Sequence, residues 1–224
     1  AWAGGIVAVH AFQIALMDYR AQQDVWGDDI HTRVSSAYAP MGKVEPVKGG
    51  FRFSGRWGWS SGCDHAQWAI MGFIRAGSKV DAKPHQHFAL VPRSNYEIID
   101  NWHAMAMKGS GTKVLKVRDV FVPEHRIESA KALMTGQSSG YGMYPDSDIF
   151  FAAYRPYFAC GFSAISLGIA EQMVSWFTER SKTRVRAYTG AEVGKDVPAY
   201  MRLAEYKHQI NAARALLEKD WNDL

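Results

Sequence analysis

Few side chains in this sequence are placed to do chemistry, and they are scattered. His10 stands at helical spacing with Ile6, Gln13 and Ile14, inside a stretch from Ala1 to Met17 that holds no charged side chain. A lone histidine there is ordinarily a hydrogen-bonded core residue, and it acts as a base only if a neighbour has a proton to give. Cys63-Asp64-His65 and His85-Gln86-His87 offer metal-ligand types. Zinc takes four protein ligands, or three and a water, and no second cluster at suitable spacing completes either set, so no metal is expected. Gly109-Ser-Gly-Thr112 is the nearest glycine-rich motif, but it opens a strand instead of a helix, which favours a turn over a phosphate cradle. No GxGxxG follows a strand, and the sequence has no P-loop or HExxH. Arg180, Lys182, Arg184 and Arg186 form the densest basic run, which reads as a solvated helix end with phosphate contact as the alternative.

The elements that must position these residues fall into three zones. From Ala1 to about Gln23, Trp2, Ile6, Val9, Phe12, Gln13, Leu16 and Tyr19 recur at helical spacing, which predicts one buried helix, with a short second one around Asp24 to Ile30. The period then changes to two. Phe51, Phe53, Gly55, Trp57 and Trp59 alternate with Arg52, Ser54, Arg56, Gly58 and Ser60, a half-buried strand turned back on Val44–Val47 by Lys48-Gly-Gly50. Further strands are expected at Gln67–Arg75, Gln86–Val91, Tyr96–Asn101 and Lys113–Val122, with turns at Lys83-Pro84 and Gly109–Gly111. No helices intervene, which predicts an antiparallel barrel or sandwich. Ser138–Pro145 reads as a glycine-rich loop, followed by long helices over about Phe158–Thr183 and Pro198–Asn222, packed antiparallel.

Composition bounds the class. The 224 residues are 47% hydrophobic and 13% aromatic, which excludes a disordered chain. Cys63 and Cys160 alone cannot make a disulfide scaffold, and two unpaired cysteines fit a reducing cytoplasm. A net charge of +4 permits an anionic ligand without demanding nucleic acid. His10, Gln13 and two glycines make Ala1–Met17 a poor membrane span, so neither nucleic acid nor membrane is an expected partner. Both ends read as helix interiors, which suggests a piece of a longer protein.

Longer motifs carry a resemblance. Ser54-Gly-Arg-Trp-Gly-Trp-Ser-Ser-Gly-Cys-Asp-His-Ala-Gln-Trp68 resembles the strand signature of flavin-dependent aromatic monooxygenases on the acyl-CoA dehydrogenase fold. Ser35-Ser-Ala-Tyr-Ala-Pro40 resembles the loop before it, and Gly109-Ser-Gly-Thr112 with Asp119–Arg126 the end of that family's β domain. Leu203-Ala-Glu205 and Ala212–Leu217 are similar to its C-terminal bundle helix. The implied fold is α+β: the end of an N-terminal helical domain (1–33), a central antiparallel β barrel (34–130) and the start of a C-terminal helical bundle (131–224).

The resemblance also assigns roles. His10 stands where the family has its substrate base, Ser36 where a serine binds the phenol, and Ser61 where a serine meets flavin N5. Trp59, Ser60, Trp2 and Arg155 correspond to cofactor-binding positions, with Arg155 and Phe158 also lining the substrate pocket. The family's distal C-terminal histidine and N-terminal arginine have no counterpart in these residues. Ser36-Ala-Tyr-Ala-Pro40 and Ser60-Ser-Gly62 stand where true acyl-CoA dehydrogenases have Thr-Glu-Pro and Ile-Thr-Asn-Gly, which favours oxygen chemistry. The implied activity is ortho-hydroxylation of a phenol resembling 4-hydroxyphenylacetate to a catechol, through a C4a-hydroperoxide of reduced FMN or FAD formed with O2. The implied partner is a separate NAD(P)H-flavin reductase, and the implied assembly a cytoplasmic homotetramer. An acyl-CoA dehydrogenase-like flavoenzyme and a non-catalytic assembly protein of the same fold are the alternatives.

Overall fold

The computed structural model describes residues 2–75, 85–147, 150 and 154–223, with Trp2, Ala3 and Arg155 defined by backbone alone. The expected Lys83-Pro84 turn lies outside these residues. The chain divides into two compact units, Ala1–Phe158 and Ala159–Leu224.

The uncharged N-terminal segment forms helix α1 (Trp2–Ala15) and buries Ile6, Val9, Phe12 and Ile14. The single helix expected through Gln23 is interrupted. Asp18 leaves helical geometry and its carboxylate accepts the backbone N–H of Arg20 at 2.8 Å, which starts α2 (Tyr19–Trp26) earlier than the expected Asp24–Ile30.

Seven strands follow: β1 (Val34–Val47), β2 (Gly50–Ser60), β3 (Trp68–Arg75), β4 (His85–Pro92), β5 (Glu97–Ile99), β6 (Lys113–Pro123) and β7 (Ile127–Ser129). They lie in the order β5-β6-β2-β1-β3-β4-β7. The Val44–Val47 strand is therefore only the end of a longer β1, and Ser35–Pro40, expected as a loop, is strand. The expected wholly antiparallel arrangement is corrected at one pairing: β1 runs parallel to β3, with Ser36 opposite Ile70, while β1–β2 and β3–β4 are antiparallel. The physical reason is the path of β1. Its first half pairs with β3 and its second with β2, across an irregularity between Ala37 and Gly42. There the chain passes under a packed core. A Cβ on Gly42 would lie 2.7–2.9 Å from Phe53, Phe73 and Trp57, so only glycine fits.

Shared by both halves, β1 folds the sheet around that core. Ala37, Phe53, Trp57, Met71, Phe73, Val91 and Leu115 bury one another inside it, and Trp57 Nε1 donates to the Gly72 carbonyl at 2.8 Å. On the other face, Val34, Ile70, Phe88 and Leu90 pack with Phe12 and Ile14 of α1 and with α3 (Ala130–Met134). The alternation of β1 thus sends Val34, Ser36 and Tyr38 toward α1 and Ser35 and Ala37 into the enclosed core.

Among the described residues of the second unit, most of α4 (Tyr154–Thr183) and α5 (Val197–Asn222) form a helical hairpin, with Pro198 in the first turn of α5. Arg214 of α5 grips Glu171 of α4, a separation that fits the antiparallel packing expected from the sequence. Phe162, Leu167, Phe177, Leu203 and Ile210 line an apolar groove of about 1000 Å³ between them. Pro156–Thr183 is long and apolar enough to cross a membrane by length and composition.

Candidate active site

His10 is fully buried on α1. Its Nδ1 lies 2.9 Å from the Val34 carbonyl at the start of β1. A carbonyl only accepts, so Nδ1 carries the proton and donates. Nε2 is then a lone-pair acceptor, and it is buried with no protein partner. Burial outweighs the Val34 bond and pushes the imidazole down to about 4, so it is neutral at physiological pH. A neutral ring, locked in one tautomer and turned so that its basic nitrogen lacks a donor, can accept a proton from a ligand.

Ser36 lies two residues beyond Val34 on the same face of β1 and is half-buried. Tyr38 comes two residues later. Its ring stands edge-on to His10 at 5.8 Å and to Phe158 at 5.7 Å, and lies 5.0 Å from Phe88. The Tyr38 phenol meets the Tyr154 hydroxyl at 2.6 Å and donates to Gln13 Oε1 at 2.5 Å. Burial pushes Tyr38 up, against opposing bonds from Tyr154 and Ser36, and Tyr154 rises for the same reason. Both tyrosines stay protonated. His10, Ser36 and Phe158 are thus gathered around Tyr38.

Ser61 belongs to a second group, at the end of β2. Its hydroxyl meets Thr112 Oγ1 at 2.8 Å, which meets Ser110 Oγ at 2.6 Å, and Gly62 N–H donates to the Ser110 carbonyl at 2.8 Å. Gly109-Ser-Gly-Thr112 is the turn expected, closed by Gly111 in the left-handed region at φ 52°. Helix α1 packs against this turn, which connects the two groups. Ser60 is fully buried with no protein partner for its hydroxyl.

Trp59 departs from the period-two reading that set it inward with Trp57. The β2–β6 register slips between Trp57 and Ser60. Trp59 takes up that bulge at φ 62°, and its side chain is 78% exposed. Left-handed backbone at a tryptophan is strained, and such strain is commonly held at functional sites. An exposed indole beside a buried, unpartnered serine hydroxyl suits a flat, polar-edged ring such as a flavin. The side chains of Trp2 and Arg155 lie outside the described residues. Cys63-Asp64-His65 is a short turn, with Asp64 paired to Lys113 at 3.1 Å. Sequence reasoning gave no site role to Gln13, Tyr38 or Tyr154. The signal for Gln13 was a polar residue on the buried face of α1; Tyr154 carried none.

The fold defines the class: the chain has the acyl-CoA dehydrogenase-like fold, and residues 160–224 match the family model described as acyl-CoA dehydrogenase, C-terminal domain. The 3-HSA hydroxylase structure from Rhodococcus sp. RHA1 superposes with a TM-score of 0.87 at 35% identity, covering 99% of this chain and 56% of that one. Within that class the chain is similar to oxygenase components of flavin-dependent monooxygenases. It is 54% identical over 223 residues to the p-hydroxyphenylacetate 3-hydroxylase oxygenase component of Acinetobacter baumannii, covering 100% of this chain and 52% of that protein. It is 41% identical over 215 residues to the flavin-dependent monooxygenase oxygenase subunit HsaA of Mycobacterium tuberculosis (strain CDC 1551 / Oshkosh), covering 95% and 53%. The chain spans about half the length of the curated relatives it matches.

Proposed function

We propose that this chain forms the substrate-facing part of a reduced-flavin-dependent monooxygenase that hydroxylates a phenol ortho to its hydroxyl, giving a catechol. The observation that carries the reading is the neutral, fully buried His10, with Nδ1 tied to Val34 and Nε2 unpartnered, on the helix that packs against β1, the strand that carries Ser36. A bound reduced flavin, FMN or FAD, supplies the chemistry of activating O2 and presenting an electrophilic oxygen. Ser36 holds the phenolic oxygen while His10 Nε2 accepts its hydrogen bond. The proton crosses to His10 only as attack on the ring turns the phenol into a far stronger acid, so the imidazole stays neutral until then. Tyr38, Phe88 and Phe158 exclude water from the ring. When a flavin is bound, Trp59, Ser60, Trp2 and Arg155 would hold it, and Ser61 Oγ would accept from its N5–H.

Support for a phenolic acid such as 4-hydroxyphenylacetate as substrate comes from the name of the 54% identical relative. The designation of that relative as an oxygenase component supports a separate NAD(P)H-flavin reductase as partner. Exposed Met173, Trp176, Phe177, Tyr200 and Met201 on α4 and α5 favour a homo-oligomer, for which we propose a tetramer, in the cytoplasm. The test supplies the full-length protein with reduced FMN, O2 and 4-hydroxyphenylacetate. Catechol should form, and His10→Asn should slow its formation by about two to four powers of ten. Catechol formation at the parent rate in the variant would return His10 to the core. Acyl-CoA oxidation instead would support the dehydrogenase alternative.

A further inference from the structure

Three residues beyond His10 on α1, Gln13 is equally buried, and its amide nitrogen has no protein partner. Tyr38 has one hydroxyl proton and gives it to Gln13 Oε1, so Tyr154 gives its own to Tyr38. The amide oxygen is thereby occupied and the N–H donors turn away from the tyrosines. Residues three apart on a helix are surface neighbours. The buried face of α1 therefore presents an acceptor lacking a donor, His10 Nε2, beside a donor lacking an acceptor, Gln13 Nε2. Leaving either unmade in a dry interior is costly. Their anchor points on β1 are Val34 and Tyr38, and Ser36 lies between them on the same face.

A phenolic hydroxyl has one proton to give and lone pairs that accept, so it satisfies both atoms together. A carboxylate would satisfy Gln13 but offer nothing to a neutral imidazole. We propose that Gln13 is a substrate-binding residue whose Nε2–H donates to the phenolic oxygen while His10 Nε2 takes that oxygen's proton. This deepens, and rests on, the phenol-hydroxylase reading above. Charge that builds on the oxygen as its proton departs would meet the Gln13 donor, which strengthens the bond when it is most needed.

The test uses the full-length protein and 4-nitrophenol, whose absorption reports both binding and ionisation. Gln13→Glu is the informative variant. Its carboxyl oxygen still accepts from Tyr38, so any purely structural role survives; the donor is removed once the buried carboxyl ionises, so 4-nitrophenol binding is followed to a pH above that ionisation. Gln13→Leu removes both. Each variant should bind 4-nitrophenol at least about ten-fold more weakly, and the bound phenol should ionise at higher pH. Parent-like binding and ionisation in Gln13→Glu would overturn the proposal, as would loss of the fold in both variants, which would make Gln13 a core residue. A parent that binds no 4-nitrophenol, or a His10→Asn variant that binds and ionises it as the parent does, would sink the phenol reading and this inference with it. Altered His10→Asn with unaltered Gln13 variants would remove Gln13 alone.

Discussion

Acidification should destabilise the protein through His10 by an amount the structure fixes. In the unfolded chain the imidazole titrates near 6.5; in the fold, burial lowers it to about 4. A proton added to Nε2 would place a charge in a fully buried site where only the Val34 bond opposes the cost. The sign follows from linkage. Above pH 6.5 both states are neutral and the full stability is present. Between 6.5 and about 4 the unfolded chain binds a proton that the fold refuses, and stability falls by about 1.4 kcal/mol per pH unit. Across that window the loss is roughly 3 kcal/mol, and below it the slope from this group vanishes. Other groups titrate as well. His87 is lowered by burial and adds a slope of the same sign, and Asp24, held below its ordinary value by Arg126 and His125 against burial, matters only in stronger acid. All of these remain in His10→Asn, so the difference between variant and parent isolates His10. Urea unfolding followed by tryptophan fluorescence at pH steps from 7.5 to 4 measures it. The parent's advantage over His10→Asn should shrink by about 3 kcal/mol on acidification. Parallel stability profiles for the two proteins would refute a neutral, buried His10, and with it the base assigned to the site.

Two further outcomes follow from the end of β2. Ser61→Ala should quicken hydrogen peroxide release from reduced flavin and O2, without phenol, by roughly ten- to a hundred-fold, since a held N5–H would lose its acceptor. Thr112→Val breaks the same inter-hydroxyl bond while keeping Ser61, so an equal leak in both variants would reduce Ser61 to a turn residue. Trp59→Gly should raise thermal stability, by about 1 kcal/mol of relieved left-handed backbone, while weakening flavin binding. A lower melting temperature in that variant would reject the strain.

The strands were legible where burial follows the pleat. Phe51, Phe53 and Trp57 alternate with exposed or half-exposed neighbours, and all three are buried in the structure. Alternation failed at Trp59 because a bulge is one residue of register, and register belongs to the partner strand β6, which lies far along the chain. The parallel β1–β3 pairing was hidden for a related reason. Strand period is blind to direction, and the glycine that lets β1 cross the core, Gly42, shows its need only against Phe53, Phe73 and Trp57. The candidate site was legible chiefly through motif resemblance, since periodicity alone left His10 as a core histidine. Periodicity did state one thing about it: His10 and Gln13 are polar residues on an apolar helix face, so each required a partner. The structure supplies half of each requirement. Val34 takes the Nδ1 proton and Tyr38 fills the amide oxygen, leaving one acceptor and one donor unanswered. Buried polar atoms are ordinarily hydrogen-bonded, to protein or to ordered water. The two left open, of opposite polarity and three residues apart on one helix, match the donor and acceptor of the phenolic hydroxyl proposed above.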